Sequence, residues 1–209
     1  MPMYQYAYPH PAVATDICVF TVVAADLRLL LIKRARAPFR GRWALPGGFL
    51  KADENLDTCA RRELMEETGI ATAALHQFGI FSDPKRDPRE RVISIAYLAL
   101  VPAGTLPLAA GSDAAAAEWS SVGDLPELAF DHAVIVGEAR SALRQLIEDT
   151  PAAFALVPEK FTLGQLRSVY EAVEGARLDK RNFRDDMARK GWLTLTARKQ
   201  KAHFRPGAD

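Results

Sequence analysis

Apolar and polar positions along this chain repeat with two different periods. Ile17 to Ala24 is a continuous β-branched and apolar run, which predicts a buried strand. Ala25-Asp26 reads as a turn and Arg28 to Arg34 as a second strand. Ala74 to Ser82 and Val92 to Val101 carry the same signal, and Ala114 to Ser120 predicts a short strand with Trp119 turned inward. The period becomes helical over Asn55 to Thr68, a stretch without Pro or Gly. Asp53 or Asn55 caps its start, and Gly69 stops it in a left-handed turn. A further helix is predicted from about Ala133 to Glu148. The polar, Gly- or Pro-containing stretches 35–42, 83–91 and 102–112 are loops, and residues 1–13 form an irregular arm. Strands interleaved with helices define an α/β domain over residues 14–149.

Residues 150–161, bounded by Pro151 and Pro158, read as a linker to a second domain at 162–209. Thr162-Leu163-Gly164-Gln165 has the form of a capping box. The helix that follows, Leu163 to Val173, sets Leu163, Leu166, Val169, Tyr170 and Val173 on one face, and Gly175 ends it. Asp179 caps another helix, Lys180 to Lys190, closed by Gly191, in which Phe183 and Met187 face inward. Trp192 to Thr196 and Ala202 to Arg205 predict two strands around a basic tip. Helix, turn, helix and a two-stranded wing is the order of a winged helix-turn-helix. Lys180, Arg181, Asn182 and Arg184 then stand where a recognition helix meets bases and phosphates, with Arg198, Lys199 and Lys201 on the wing. The alternative is a helical hairpin that stabilises the first domain or its dimer.

Charge changes this picture more than composition does. Hydrophobic residues at 49% and charged residues at 25% describe an ordinary globular protein. The net charge of +1 hides an asymmetry: residues 160–209 hold 12 Lys or Arg against 6 Asp or Glu, and the rest of the chain 15 against 20. An acidic body with a basic tail points to nucleic acid and, with the winged order above, to double-stranded DNA as a partner. Cys18 and Cys59 both fall in predicted core elements and read as small buried hydrophobes. With neither a signal peptide nor an apolar run of transmembrane length, a reducing, cytoplasmic location and no membrane partner are expected.

The candidate chemistry lies in Gly48 to Ile70, GFLKADENLDTCARRELMEETGI. Glu63, Glu66 and Glu67 stand at i, i+3 and i+4 and so share one helix face. Three carboxylates this close repel one another unless a cation sits among them, and hard oxygen ligands suit Mg²⁺ or Mn²⁺. Arg62 is placed to pair with Glu54 or Glu66. The spacing of Gly48, Glu54, Arg62, Glu63, Glu66, Glu67 and Gly69 resembles the signature of the Nudix hydrolases. That resemblance implies a mixed sheet between helices, a catalytic set of Arg62, Glu63, Glu66 and Glu67, and the carbonyl of Gly47 as a further metal ligand. Gly48 and Phe49 would then touch substrate.

The segment SDPKRDPR, with Arg86, Arg89 and Arg91, is by charge alone a solvated basic turn. It also resembles the loop of ADP-ribose pyrophosphatases, which makes these arginines candidate phosphate donors. Those relatives usually have Gly where Glu90 stands, and Glu90 becomes a loop carboxylate that could act as a base. FDHA, Phe130 to Ala133, resembles a segment of the same subgroup, with His132 read as structural. Together with FTLGQLRSVYEAVEG and LDKRNFRDDM, residues 14–205 resemble the Nudix-related regulators of NAD metabolism. In many of those the box has lost its carboxylates; here it has not. The expectation is a Mg²⁺-dependent pyrophosphohydrolase that acts on or binds ADP-ribose or a related nucleotide, fused to a DNA-binding winged helix. The alternative is an ADP-ribose-responsive repressor with little or no hydrolysis. A homodimer on an inverted-repeat operator is implied in either case.

Overall fold

The computed structural model describes residues 7–71, 73–105, 114–193 and 202–203. Strand β1 (Ala12–Val23) turns back through Ala24 and Ala25 into β2 (Asp26–Arg34). Both turn residues have positive φ, 52° and 63°, as a two-residue hairpin matched to the strand twist requires. Two short strands, β3 (Trp43–Ala44) and β4 (Gly47–Phe49), lead to helix α1 (Leu56–Thr68). Strands β5 (Leu75–Phe81), β6 (Val92–Leu100) and β7 (Ala114–Ser121) complete the sheet, and helix α2 (His132–Asp149) follows.

The sheet is mixed: β1 runs parallel to β6 and antiparallel to its other neighbours. One feature of its register shapes everything near α1. β1 pairs with β2 only near the hairpin, from Phe20↔Leu29 to Val23↔Asp26. Farther from the turn the two strands splay. β4 takes the edge of β1 at Ala14 to Asp16, and β3 takes the edge of β2 at Ile32 and Lys33. The wedge so filled is the floor of the pocket described below.

Alternation along β1 sends its side chains to two cores. Ile17 and Val19 join Leu30, Ile95 and Tyr97 under Ala60 and Leu64 of α1. Cys18, Phe20 and Val22 face the other way, toward Ile135, Val136, Ala139, Leu143 and Ile147 of α2. Both cysteines are free and buried. The second core does not stop at α2. It continues through the 3₁₀ turn Pro151–Leu156 into helices α3 (Leu163–Glu174) and α4 (Lys180–Lys190), where Leu166, Val169, Tyr170, Val173, Phe183 and Met187 are buried in the same cluster. A fully buried Leu or Ile such as Leu143 or Ile147 contributes about 1.5–3 kcal/mol by leaving water.

Residues 150–161, read as a linker, are thus a packed connection that buries Ala153, Phe154, Leu156, Val157 and Phe161. Its end forms β8 (Lys160–Phe161), which pairs antiparallel with β9 (Ala202–His203). The expected strand at Trp192 to Thr196 is not seen in its first two residues, and residues 194–196 lie outside the described ones. The wing-tip residues Arg198, Lys199 and Lys201 also lie outside them. Helix, turn and helix stand as the sequence predicts. Among the described residues no helix is long and apolar enough to cross a membrane.

Candidate functional site

Helix α1 begins at Asn55, whose side chain accepts from the Thr58 amide, and ends at Gly69 in the left-handed region. Asn55, not Asp53, is therefore the cap. The helix lies against β4, and its carboxylates meet the main chain of the two glycines there. The Gly47 amide donates to Glu67 Oε2 at 2.8 Å. A Cβ on Gly48 would lie 2.4 Å from Glu63 Oε1, and one on Gly47 would lie 2.0 Å from the Thr15 carbonyl oxygen. Glycine is needed at position 47, where the β1 backbone leaves no room for a side chain, and a side chain at position 48 would push the Glu63 carboxylate from its place.

Arg62 ties this arrangement together. Its Nε and Nη2 donate to the two oxygens of Glu54, at 2.9 and 2.6 Å, in the fork that a guanidinium and a carboxylate make. Nη1 reaches Glu63 Oε1 and Glu66 Oε2, the latter at 3.2 Å, and Nη2 also reaches the Phe49 carbonyl at 3.2 Å. Both partners expected for Arg62 are engaged, and Glu63 with them. The bond to Arg62 holds the Glu54 carboxyl down at about 2. Burial pushes Glu63 the other way, upward, against the pull of Arg62. Glu67 is 7% exposed, whereas the side chain of Glu66 is 56% exposed.

These groups are the hard oxygen donors that a divalent cation takes, and Glu63 and Glu67 converge on the Gly47–Gly48 backbone. Among the described residues, however, no three acidic, His or Cys side chains close into a metal cage. Arg62 supplies the positive charge the cluster needs. The oxygen donors fit a hard divalent cation such as Mg²⁺ or Mn²⁺, and Glu66 is turned toward Arg62.

A pocket opens beside β4 where β1 and β2 splay. Asp16, Ile32, Arg34, Phe49, Arg89 and Phe130 are among the residues that line it. Around Phe130 and Arg86 it adjoins a groove of about 540 Å³ between the end of β5, the 83–88 loop and the start of α2. The pocket beside β4 itself encloses about 60 Å³, so a nucleotide seated there would extend into the groove. Phe130 adopts φ 54°, an unfavourable value for an aromatic residue. Its ring meets Phe39 at 4.8 Å edge-on and lies under Arg34 at 4.7 Å and Arg89 at 5.6 Å. Arg89 also lies over Phe49 at 5.0 Å and is forked by Asp87 at 3.0 and 2.7 Å.

Of the three loop arginines, Arg86 differs most from a free phosphate donor. It is 8% exposed, donates to both oxygens of Asp131 at 2.9 and 2.8 Å, and reaches Asp16 at 3.0 Å. It braces the loop against β1 and α2 from beneath the pocket. Arg91 is exposed and donates to the Ser82 carbonyl at 2.7 Å. Arg89 stands on the pocket wall, and Glu90 is exposed. Asp16 also accepts from Ser94 at 2.6 Å and faces His132 Nε2 at 3.3 Å. Burial alone would raise the Asp16 carboxyl; His132, Arg86 and Ser94 outweigh it and hold it well below the usual range. His132 Nδ1 accepts from the Leu45 amide at 2.9 Å, so the ring is the tautomer with its proton on Nε2. His132 is 4% exposed and bridges the Leu45 amide and Asp16 at the edge of the pocket. The sequence did not single out Asp16, Arg34, Asp87 or Asp131; the SDPKRDPR and FDHA segments, which contain Asp87 and Asp131, were the local signals near them.

In the tail, Lys180, Arg181, Asn182 and Arg184 are exposed along one end of α4, while Phe183 and Met187 anchor its other face. Asp179 caps the helix through the amides of Arg181 and Asn182.

A mixed sheet between helices, an acidic helix packed on a glycine strand and an appended helix-turn-helix together define a Nudix domain carrying a winged helix. Residues 13–138 match the NUDIX domain, and residues 153–208 match the NrtR DNA-binding winged helix domain. The chain belongs to the Nudix family, in the branch that carries the NrtR-type tail. It is 34% identical over 203 residues to the ADPR responsive transcriptional repressor NtrR of Acinetobacter baylyi, covering 95% of this chain and 81% of that one. It is also 44% identical over 129 residues to the ADP-ribose pyrophosphatase of Methanocaldococcus jannaschii, covering 62% of this chain and 73% of the relative. Shewanella oneidensis NrtR, solved in complex with a 27mer DNA, superposes with a TM-score of 0.76 at 28% identity over 92% of each chain. Its NUDIX domain complexed with ADP ribose gives 0.59 at 30% identity, covering 68% of this chain and 94% of that one. Nudix hydrolases as a family use divalent metal ions.

Proposed function

We propose that this protein is a cytoplasmic, ADP-ribose-responsive DNA-binding regulator. The pocket between β4, Phe130 and the 83–91 loop takes ADP-ribose, and α4 meets DNA. One observation carries this reading: α2 starts at the pocket wall, with Asp131 and His132, and its buried face shares one apolar core with α3 and α4. The full-length likeness to a repressor supports it. In this reading Gly48, Phe49 and Arg89 touch the ligand, and Lys180, Arg181, Asn182 and Arg184 meet bases and phosphates. Arg198, Lys199 and Lys201 track the backbone. A homodimer presents two such helices to an inverted repeat.

A second activity in the same pocket is favoured by the placement of Glu63 and Glu67 against Gly47. Glu63, Glu66, Glu67 and the Gly47 carbonyl would hold Mg²⁺ or Mn²⁺. The bound ion would supply charge neutralisation on the diphosphate and a more acidic water. Arg62 holds Glu63 in position and stays charged through its fork on Glu54. ADP-ribose would yield AMP and ribose 5-phosphate.

The test is an anisotropy titration of full-length protein on the promoter beside its gene, with and without ADP-ribose, paired with product analysis in Mg²⁺. Binding about a thousandfold tighter than to random sequence, weakened by ADP-ribose, is the expected result. Equal affinity for both DNAs overturns the regulatory reading. Absence of AMP removes the hydrolytic one.

A further inference from the structure

Helix α2 touches both ends of the molecule's function, and in each case its termini make the contact. Its 18 residues span about 27 Å at 1.5 Å per residue. At its start, the N-cap residue Asp131 makes no capping bond with its own side chain. That carboxylate is given instead to Arg86 of the pocket loop, at 2.9 and 2.8 Å. The next residue, His132, is bonded to Leu45 before β4 and faces Asp16 of β1. The first turn of α2 is therefore part of the pocket wall.

At the other end, the last carbonyls of α2 are the seat of the tail helices. Tyr170 of α3 donates its buried hydroxyl to the Ile147 carbonyl at 2.9 Å. Lys190 of α4 donates to the Glu148 carbonyl at 2.7 Å and meets the Glu148 carboxylate at 2.8 Å. Arg144 donates back to the Val173 carbonyl at 3.2 Å. Between the two ends, Ile135, Val136, Ala139, Leu143 and Ile147 hold one face of α2 in the core, so the helix moves as a body with whatever grips it.

We infer that α2 is the rod through which pocket occupancy reaches the recognition helix. This rests on the regulatory reading above and adds its path. A ligand that draws the 83–91 loop through Arg86 pulls on Asp131, hence on α2, hence on Tyr170 and Lys190 at its far end. The coupling needs only that ADP-ribose bind one position of α2 better than another. Tyr170, Lys190 and Arg144 are positioning residues here. Gly137 marks a soft point on the exposed side of the rod: a Cβ there would meet nothing within 4 Å, so packing does not require glycine.

The experiment measures DNA affinity by anisotropy with and without saturating ADP-ribose on three full-length proteins, and ADP-ribose affinity by calorimetry. Wild type should show a ligand effect of about fivefold or more. The double variant Tyr170→Phe/Lys190→Met should keep ADP-ribose affinity and lose most of that effect. Glu138→Gly leaves every anchor in place but sets a second glycine directly after Gly137 in the rod. It should also shrink the effect, and it reports even if the double variant does not fold. Variants that both bind ADP-ribose and respond as wild type does overturn the rod while leaving the regulatory reading intact. A wild-type protein whose DNA affinity ignores ADP-ribose overturns the regulatory reading and the rod together.

Discussion

Helices α1 and α4 are both short, dense in charge and anchored by a few buried side chains, yet their charges are held differently. In α1 several charged side chains are tied to other elements, beside the pairs of Arg62 with Glu63 and Glu66 on the helix itself. Arg62 reaches Glu54 and the Phe49 carbonyl, Glu67 takes the Gly47 amide, Arg61 reaches the Ala73 carbonyl, and Asp57 accepts from Tyr97. In α4 the ion pairs stay on the helix: Arg181 and Arg184 with Asp185, and Arg189 with Asp186. Lys190 is the exception, bonded to Glu148. The first pattern fixes side chains in advance of a small ligand, where a misplacement of about 1 Å is costly. The second leaves long side chains free to follow a phosphate backbone, at little cost to folding.

The largest expected effect tests the preorganised helix. Glu67→Gln keeps the shape and removes one negative oxygen. If α1 supports hydrolysis, turnover should fall by about a hundred- to a thousandfold, measured as AMP release, with the circular dichroism spectrum unchanged. Equal turnover would remove Glu67 from the reaction.

A paired substitution breaks the comparison directly. Arg62→Met should lower the melting temperature clearly, because Glu54, Glu63 and Glu66 lose their shared partner. Arg184→Ala should leave the melting temperature nearly unchanged and cost about 1–3 kcal/mol in binding a specific site if the side chain reads a base. A reversed outcome, with Arg184 the stabilising residue, would sink the distinction.

Acid sharpens it. The Glu54 carboxyl lies near 2 in the folded chain against an ordinary value of 4.5, so its pairing stabilises the fold above pH 4.5. That contribution is lost as pH falls toward 2. Urea titrations between about pH 5 and 2.5 should show stability falling with acid in wild type and less steeply in Arg62→Met. Parallel curves would mean that the fork on Glu54 contributes nothing.

The smallest effect belongs to α4. Asp185→Asn frees Arg181 and Arg184 and removes a charge that repels phosphate. Affinity for random DNA should rise a few-fold with a steeper salt dependence, while stability shifts by less than about 0.5 kcal/mol.

What could be read from the sequence was local. The caps of α1, α3 and α4 follow from neighbours within four residues: Asn55 to Thr58, Thr162 with Gln165, and Asp179 to Asn182. The shared face of Glu63, Glu66 and Glu67 follows from helix geometry. The partners of the loop arginines were not legible. Arg86 carries the same local signal as Arg89, but Asp16 and Asp131, 70 and 45 residues away, take it into the interior. Likewise nothing local distinguishes 150–161 from a loose linker. Its apolar residues Phe154, Leu156 and Phe161 find their place only once α2 and α3 are set side by side.

Because Phe20 of the sheet and Met187 of α4 lie in one core, the described residues show no seam along which heat could melt one half first. Calorimetry of the intact protein should show a single transition whose van't Hoff and calorimetric enthalpies agree, despite the two-part architecture. A chain cut at Pro158 would bare the surface of Leu143, Ile147 and Leu156 that α3 covers. Its urea midpoint should drop, and it should self-associate as its concentration rises.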